Sequence, residues 1–191
     1  MVIALFRYLL ELSEEYLPVL YRWLPEHIVW IPVWFLALFL CSWVLYRIVR
    51  KDGMTSGSGI PQIKGILLGE MDMNWARVLV LKFTGAVLGI GAGMSLGREG
   101  PSVQLGACLG QGLGRLTHRS YAESHYLLTA GAGAGLAAAF NAPLAGVIFC
   151  LEELTKNFSA FVLMGAISAA VTATTVTQYF FGMQPVFHMG V

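Results

Sequence analysis

Charged residues are scarce in this chain. Asp, Glu, Lys and Arg make up 12% of its 191 residues, against about a quarter in a soluble globular domain, which excludes an ordinary water-facing surface. The 12 basic and 11 acidic side chains leave a formal charge of +1, so neither the basic footprint of a nucleic-acid-binding domain nor a polybasic membrane-surface patch is present. Cysteine is sparse too. Cys41, Cys108 and Cys150 stand far apart in apolar segments without disulfide or metal-ligand spacing, and they read as small core residues. His27, His118, His125 and His188 also lack metal-ligand spacing and fall near hinges, the tail or the start of a span, as surface or interfacial residues do. No metal and no organic cofactor is expected. Acidic residues end early, with none beyond Glu153.

What the chain has instead is apolar length. It is 57% hydrophobic with a mean hydropathy of +0.68, which predicts an all-α, multi-pass integral membrane protein surrounded by lipid. Uncharged runs cover Ile28 to Tyr46, Phe83 to Gly97, Gly100 to Gly114, Tyr126 to Leu151 and Asn157 to Phe187. A spanning helix needs about 17 to 25 residues; the two runs flanking Arg98 and Glu99 are short and read as broken helices. Met1 to Leu24 mixes apolar residues with Glu11, Glu14, Glu15 and Arg22 and lacks a signal-peptide cleavage pattern, so an amphipathic helical segment is predicted. Trp30 and Trp34 suit an interfacial belt, and Arg47, Arg50 and Lys51 place the C-terminal end of the first span on the cytoplasmic side.

Two glycine-led breaks carry the chemistry. "GSGIP" at 57–61 and "GREGP" at 97–101 each run through a proline into apolar sequence, and proline in a first turn opens a helix. A helix start exposes unsatisfied backbone N–H groups and about half a positive charge, which suits an anion. Broken membrane helices commonly aim such ends at a transport path. Ser58 adds a hydroxyl to the first start. Glu99 stands at the second, where an ionisable group at membrane depth costs about 2.5 to 3.5 kcal/mol and therefore points to function. The expectation is a tethered carboxylate that competes with an external anion and lets go when protonated; Arg98 is expected at an aqueous mouth or in a structural pair.

"GSGIPQIKG", "KFTGAVLGIGAGMSLGREGPSVQLGACLGQ" and "GAGAGLAAAFNAPLAGVIFCLEEL" resemble the three signature blocks of the CLC family of chloride channels and proton-coupled chloride exchangers, and the resemblance runs from about Val33 to the C-terminus. It implies the CLC inverted-repeat fold, chloride as the transported ion and a homodimer in the full-length form. It implies an anion site at Ser58, Gly59, Ile60, Glu99 and Gly100, with Glu99 as the gate. Asn141 and Pro143 match a packing motif. CLC subunits are considerably longer, so residues 1–191 are expected to be a single, N-terminal transmembrane region without the second inverted repeat, a fragment or a truncated half-subunit, in the cell membrane if the source is bacterial.

Exchangers of the family commonly carry an inner glutamate, expected here near the end of the 160–181 span. No carboxylate occurs there or in "FFGMQPVFHMG", which favours channel-like conduction over proton coupling. An enzyme is not expected. "GAGAGL" and "GIGAGM" lack the strand, acidic ribose partner and Lys-Ser/Thr of a nucleotide site, and Ser56, Ser58 and Ser95 have no histidine base at comparable depth. Glu152 and Glu153 read as a solvated helix end.

Overall fold

The computed structural model describes residues 1–156 and 159–182, which form eight α-helices. They are α1 (Val2–Trp23), α2 (Ile31–Lys51), α3 (Ile60–Leu67), α4 (Trp75–Gly91), α5 (Glu99–Leu116), α6 (Tyr121–Phe140), α7 (Pro143–Phe149) and α8 (Ala160–Phe181). A π-helical turn, Cys150–Thr155, continues α7. The tail "MQPVFHMGV" from Met183 on, with His188, and the Asn157 end of the last predicted run lie outside the described residues.

The predicted amphipathic segment is α1. It buries Ile3, Ala4, Phe6 and Leu10 on one side, the Phe6 ring meeting that of Phe83 of α4 in a tilted contact with centroids 5.7 Å apart, while Glu14 and Glu15 stay exposed. Among the described residues two helical stretches are long and apolar enough to cross a membrane, Ile28–Lys51 with mean hydropathy 2.3 and Ala160–Phe181 with 1.7. No α2 residue is buried. Its apolar face, with Phe35, Leu36 and Phe39 more than half exposed, has the character of a lipid-facing surface.

At the centre lies α5, held by backbone contact. Helices associate in lipid through close packing, because tails are as apolar as side chains, and glycine permits the closest approach. A Cβ added at Gly106 would stand 3.0 Å from the Gly135 Cα, and one at Gly131 would stand 3.1 Å from the Gly110 Cα. The α5 and α6 backbones therefore touch at successive turns. Next to this seam, Ile63 and Ile66 of α3, Val103, Ala107 and Cys108 of α5, and Leu128 and Ala132 of α6 form one buried cluster.

Two expected boundaries move. The run to Gly97 is helical only to Gly91, because Gly93 takes φ +81 and turns the chain out. The run from Tyr126 to Leu151 breaks at Asn141, which adopts φ 55 and closes α6 before Pro143 opens α7. The Asn141 Oδ1 then accepts from Gln178 Nε2 of α8 at 2.9 Å. Cys41 is half-buried rather than core, its Sγ 3.6 Å from the Leu88 carbonyl oxygen on the α2–α4 contact, whereas Cys108 and Cys150 are buried as expected.

Gly106→Val or Gly131→Val should prise α5 from α6 and cost about 1–3 kcal/mol or more, as overpacking does. Gly53→Ala, where an added Cβ meets nothing within 4 Å, should stay within about 0.5 kcal/mol. Thermal unfolding in detergent, followed by circular dichroism, separates the two cases; equal melting temperatures would overturn the backbone-contact account.

Candidate anion site between two helix starts

The chain enters α3 through a short 3-10 turn, Gly53–Thr55, capped when the Asp52 Oδ1 accepts from the Met54 N–H at 3.1 Å. Gly59 follows as the N-cap of α3 with φ 91. No other residue suits that position, since φ is left-handed and a Cβ would fall 2.5 Å from the Gln104 Cδ. Ile60 and Pro61 then open the helix. Ser58 is exposed, and its Oγ accepts from the Ile60 N–H at 3.3 Å, so the hydroxyl stands at the helix start where an anion would also bind.

The second start is α5. Arg98 is its N-cap and Glu99 its first helical residue. The two starts approach at Gly100, where an added Cβ would overlap the Ser58 Cα at 2.6 Å and Cβ at 2.8 Å. Thr55, Gly57, Ser58, Lys82, Glu99 and Gly100 line one cavity of ≈ 530 Å³, closed on its other side by apolar residues of α2 and α4. Ser58, Glu99 and Gly100 thus share one cavity, with Gly59 and Ile60 directly behind Ser58 in the α3 start. Glu99 is exposed, and no hydrogen bond joins it to Ser58 among the described residues. Its neighbour Arg98 pairs with Glu14 of α1.

Lys82 escaped the sequence reading. It is 5% exposed, and its Nζ donates to the Gly57 carbonyl oxygen at 2.6 Å and the Thr55 carbonyl oxygen at 3.1 Å. It has no carboxylate partner among the described residues. A buried cation held only by carbonyl dipoles keeps its field for whatever enters the cavity, and it pins the loop that delivers Ser58. The one available signal was a lone lysine in the otherwise uncharged run from Val78 to Gly97.

The profile of the family described as "Voltage gated chloride channel" matches residues 37–191. The chain belongs to that family. Among curated CLC relatives, the H(+)/Cl(-) exchange transporter ClcA of Cronobacter sakazakii is 43% identical over 171 residues, covering 86% of this chain and 36% of the relative. The corresponding transporter of Citrobacter koseri is 41% identical over 167 residues, covering 85% and 35%. A solved structure, a slow cyanobacterial Cl-/H+ antiporter, superposes with TM-score 0.87 at 32% identity over 98% of this chain and 45% of that one. The CLC fold expected from the sequence is therefore present, and the chain spans little more than a third of the length of the curated relatives it matches. Those relatives are named as exchangers, which leaves the channel-like expectation without support.

Lys82→Met keeps the volume but strips two carbonyl oxygens of their donor, at about 1–3 kcal/mol for unsatisfied buried groups. Amide hydrogen exchange of residues 55–63 should quicken while exchange in α6 stays unchanged; unaltered exchange in the loop would show that Lys82 does not hold it.

Proposed function

We propose that this chain forms the anion-binding and gating part of a chloride transporter that works by exchange with protons. The observation that carries the reading is the single cavity onto which two helix starts, Ser58, Lys82 and Glu99 converge. A monovalent anion there meets backbone N–H groups of α3 and α5, the Ser58 hydroxyl and the Lys82 field. Glu99, tethered at the α5 start, competes for the same groups as a carboxylate and withdraws on protonation. Anion flux then rises as external pH falls.

Exchange is supported by the activity for which the relatives are named and by one feature of the fold. Glu153, on the π-helical turn, bonds Lys64 of α3 at 2.5 Å. A second carboxylate thus lies along the same short helix whose start Ser58 precedes, which weakens the inference drawn from the lack of acidic residues beyond it. In this reading Glu153 passes protons between the aqueous phase and the Glu99 path. Channel-like conduction is the second reading, favoured only by that lack. Like other CLC proteins the transporter is expected to act as a homodimer with a path in each subunit.

Liposomes test both readings, with chloride efflux and internal pH recorded together. They carry either this chain alone or this chain joined to the part of the Cronobacter sakazakii transporter that lies beyond the match. Chloride efflux with opposed proton movement is expected in the joined form. Glu99→Gln should leave efflux indifferent to pH, and Glu153→Gln should reduce proton movement about tenfold or more, a barrier change of ~1.4 kcal/mol, while chloride still flows. Efflux without proton movement in the unsubstituted form would decide for the channel; pH-dependent gating that survives Glu99→Gln would remove Glu99 from the gate.

A further inference from the structure

The segment that delivers Glu99 is held from the far end of the chain. The Arg98 guanidinium donates from Nη2 to the Glu14 carboxylate of α1, a contact between residues 84 apart in sequence. Arg98 also opens α5, its carbonyl oxygen accepting from the Ser102 N–H at 3.2 Å and from the Ser102 hydroxyl at 2.7 Å. The loop before it lies along α1 as well. An added Cβ at Gly91 would stand 3.2 Å from the Ser13 Oγ, and one at Gly93 would stand 2.6 Å from the Tyr21 hydroxyl. Three successive positions of the approach to Glu99 thus rest on the second half of α1.

We infer that Glu14 is a positioning residue for Glu99: its carboxylate fixes the Arg98 side chain and offsets that cation's charge, and so sets the pH at which Glu99 releases the path. The inference rests on the reading of Glu99 as a pH-sensitive gate. Among the described residues, charged groups reach the surroundings of Glu99 from three elements. Lys82 of α4 lines the same cavity, Arg98 is its chain neighbour, and Glu14 of α1 acts through Arg98. Thr55 and Ser58, from the loop before α3, do not titrate, and Leu45, Ile48 and Val49 of α2 are apolar. Arg7 and Glu11, further along α1, pair with each other at 2.6 Å. Removing the Glu14 charge takes a negative charge from beside the Arg98 guanidinium. A nearby positive charge favours a carboxylate over its acid, so the half-release pH falls.

The titration is read on Glu99 itself, in this chain in detergent, by infrared spectroscopy of the protonated carboxyl band after subtraction of the Glu99→Gln spectrum. Glu14→Gln should move the midpoint down by about half to one pH unit, the scale of a single charge at partly screened distance. Arg98→Gln should move it up, and the double variant Glu14→Gln/Arg98→Gln should return towards the original value. Glu14→Asp keeps the charge and should keep the midpoint. A midpoint unmoved by Glu14→Gln, or shifts of the same sign in both single variants, would overturn the inference. If Glu14→Gln loses helical content by circular dichroism, the upward shift in Arg98→Gln and the retained midpoint in Glu14→Asp decide instead. Because no flux is needed, this result stands apart from the gate reading, which fails only if pH-dependent efflux survives Glu99→Gln.

Discussion

A helix that begins inside a protein leaves its first backbone N–H groups without intrahelical acceptors, and the rest of this structure is arranged around two such beginnings. The starts of α3 and α5 face one cavity because Gly100 lacks a Cβ and lets the α5 backbone lie against Ser58. That approach is possible only if α5 is fixed along its length, and the glycine seam with α6 does so by bringing two backbones into contact. Close packing of this kind is what association in lipid rewards. Substituting alanine for one seam glycine thus displaces an element whose first turn is part of the site.

The charged side chains follow the same logic. Two ion pairs that join distant elements, Arg98 with Glu14 and Lys64 with Glu153, tie the elements carrying the helix starts to α1 and to the π-helical turn. Lys82 differs, being buried with carbonyl oxygens for partners. Replacing a carboxylate by carbonyls leaves the cation's net charge in place while still meeting its hydrogen-bonding needs. A cavity floored this way is attractive to an anion without holding it as tightly as a contact ion pair would, and passage requires that an ion also leave.

The sequence made the two helix starts legible because glycine and proline leave a readable mark: Gly59 and Pro61 at one start, Gly100 and Pro101 at the other. Amphipathic α1 and apolar α2 were equally plain. Hydropathy failed where the stop is conformational. Gly93 and Asn141 end their helices through positive φ, and an apolar average over a window does not register one residue's backbone angle. Lys82 was passed over because its partners are main-chain atoms, invisible in the residue code. The reach of Glu14 to Arg98 and of Lys64 to Glu153 was hidden for the opposite reason: each pair is plain chemistry, but its members meet only through the fold.

The lean towards channel-like conduction, which the relatives do not support, has the same origin. A missing carboxylate was sought along α8 because sequence position was read as spatial position. The fold brings the end of the α7 segment, not α8, against α3, and with it Glu153. Closeness to the cavity at the two helix starts is decided by which element packs on α3, and α3 is too short at 8 residues to be held by its own hydrogen bonds. It depends on neighbours at both ends: the Lys82-held loop at its start and the Lys64–Glu153 pair one turn further on. An ionisable group that anchors such a helix is in a position to couple its own protonation to the geometry of the helix start, and Glu153 holds that place on α3 through Lys64.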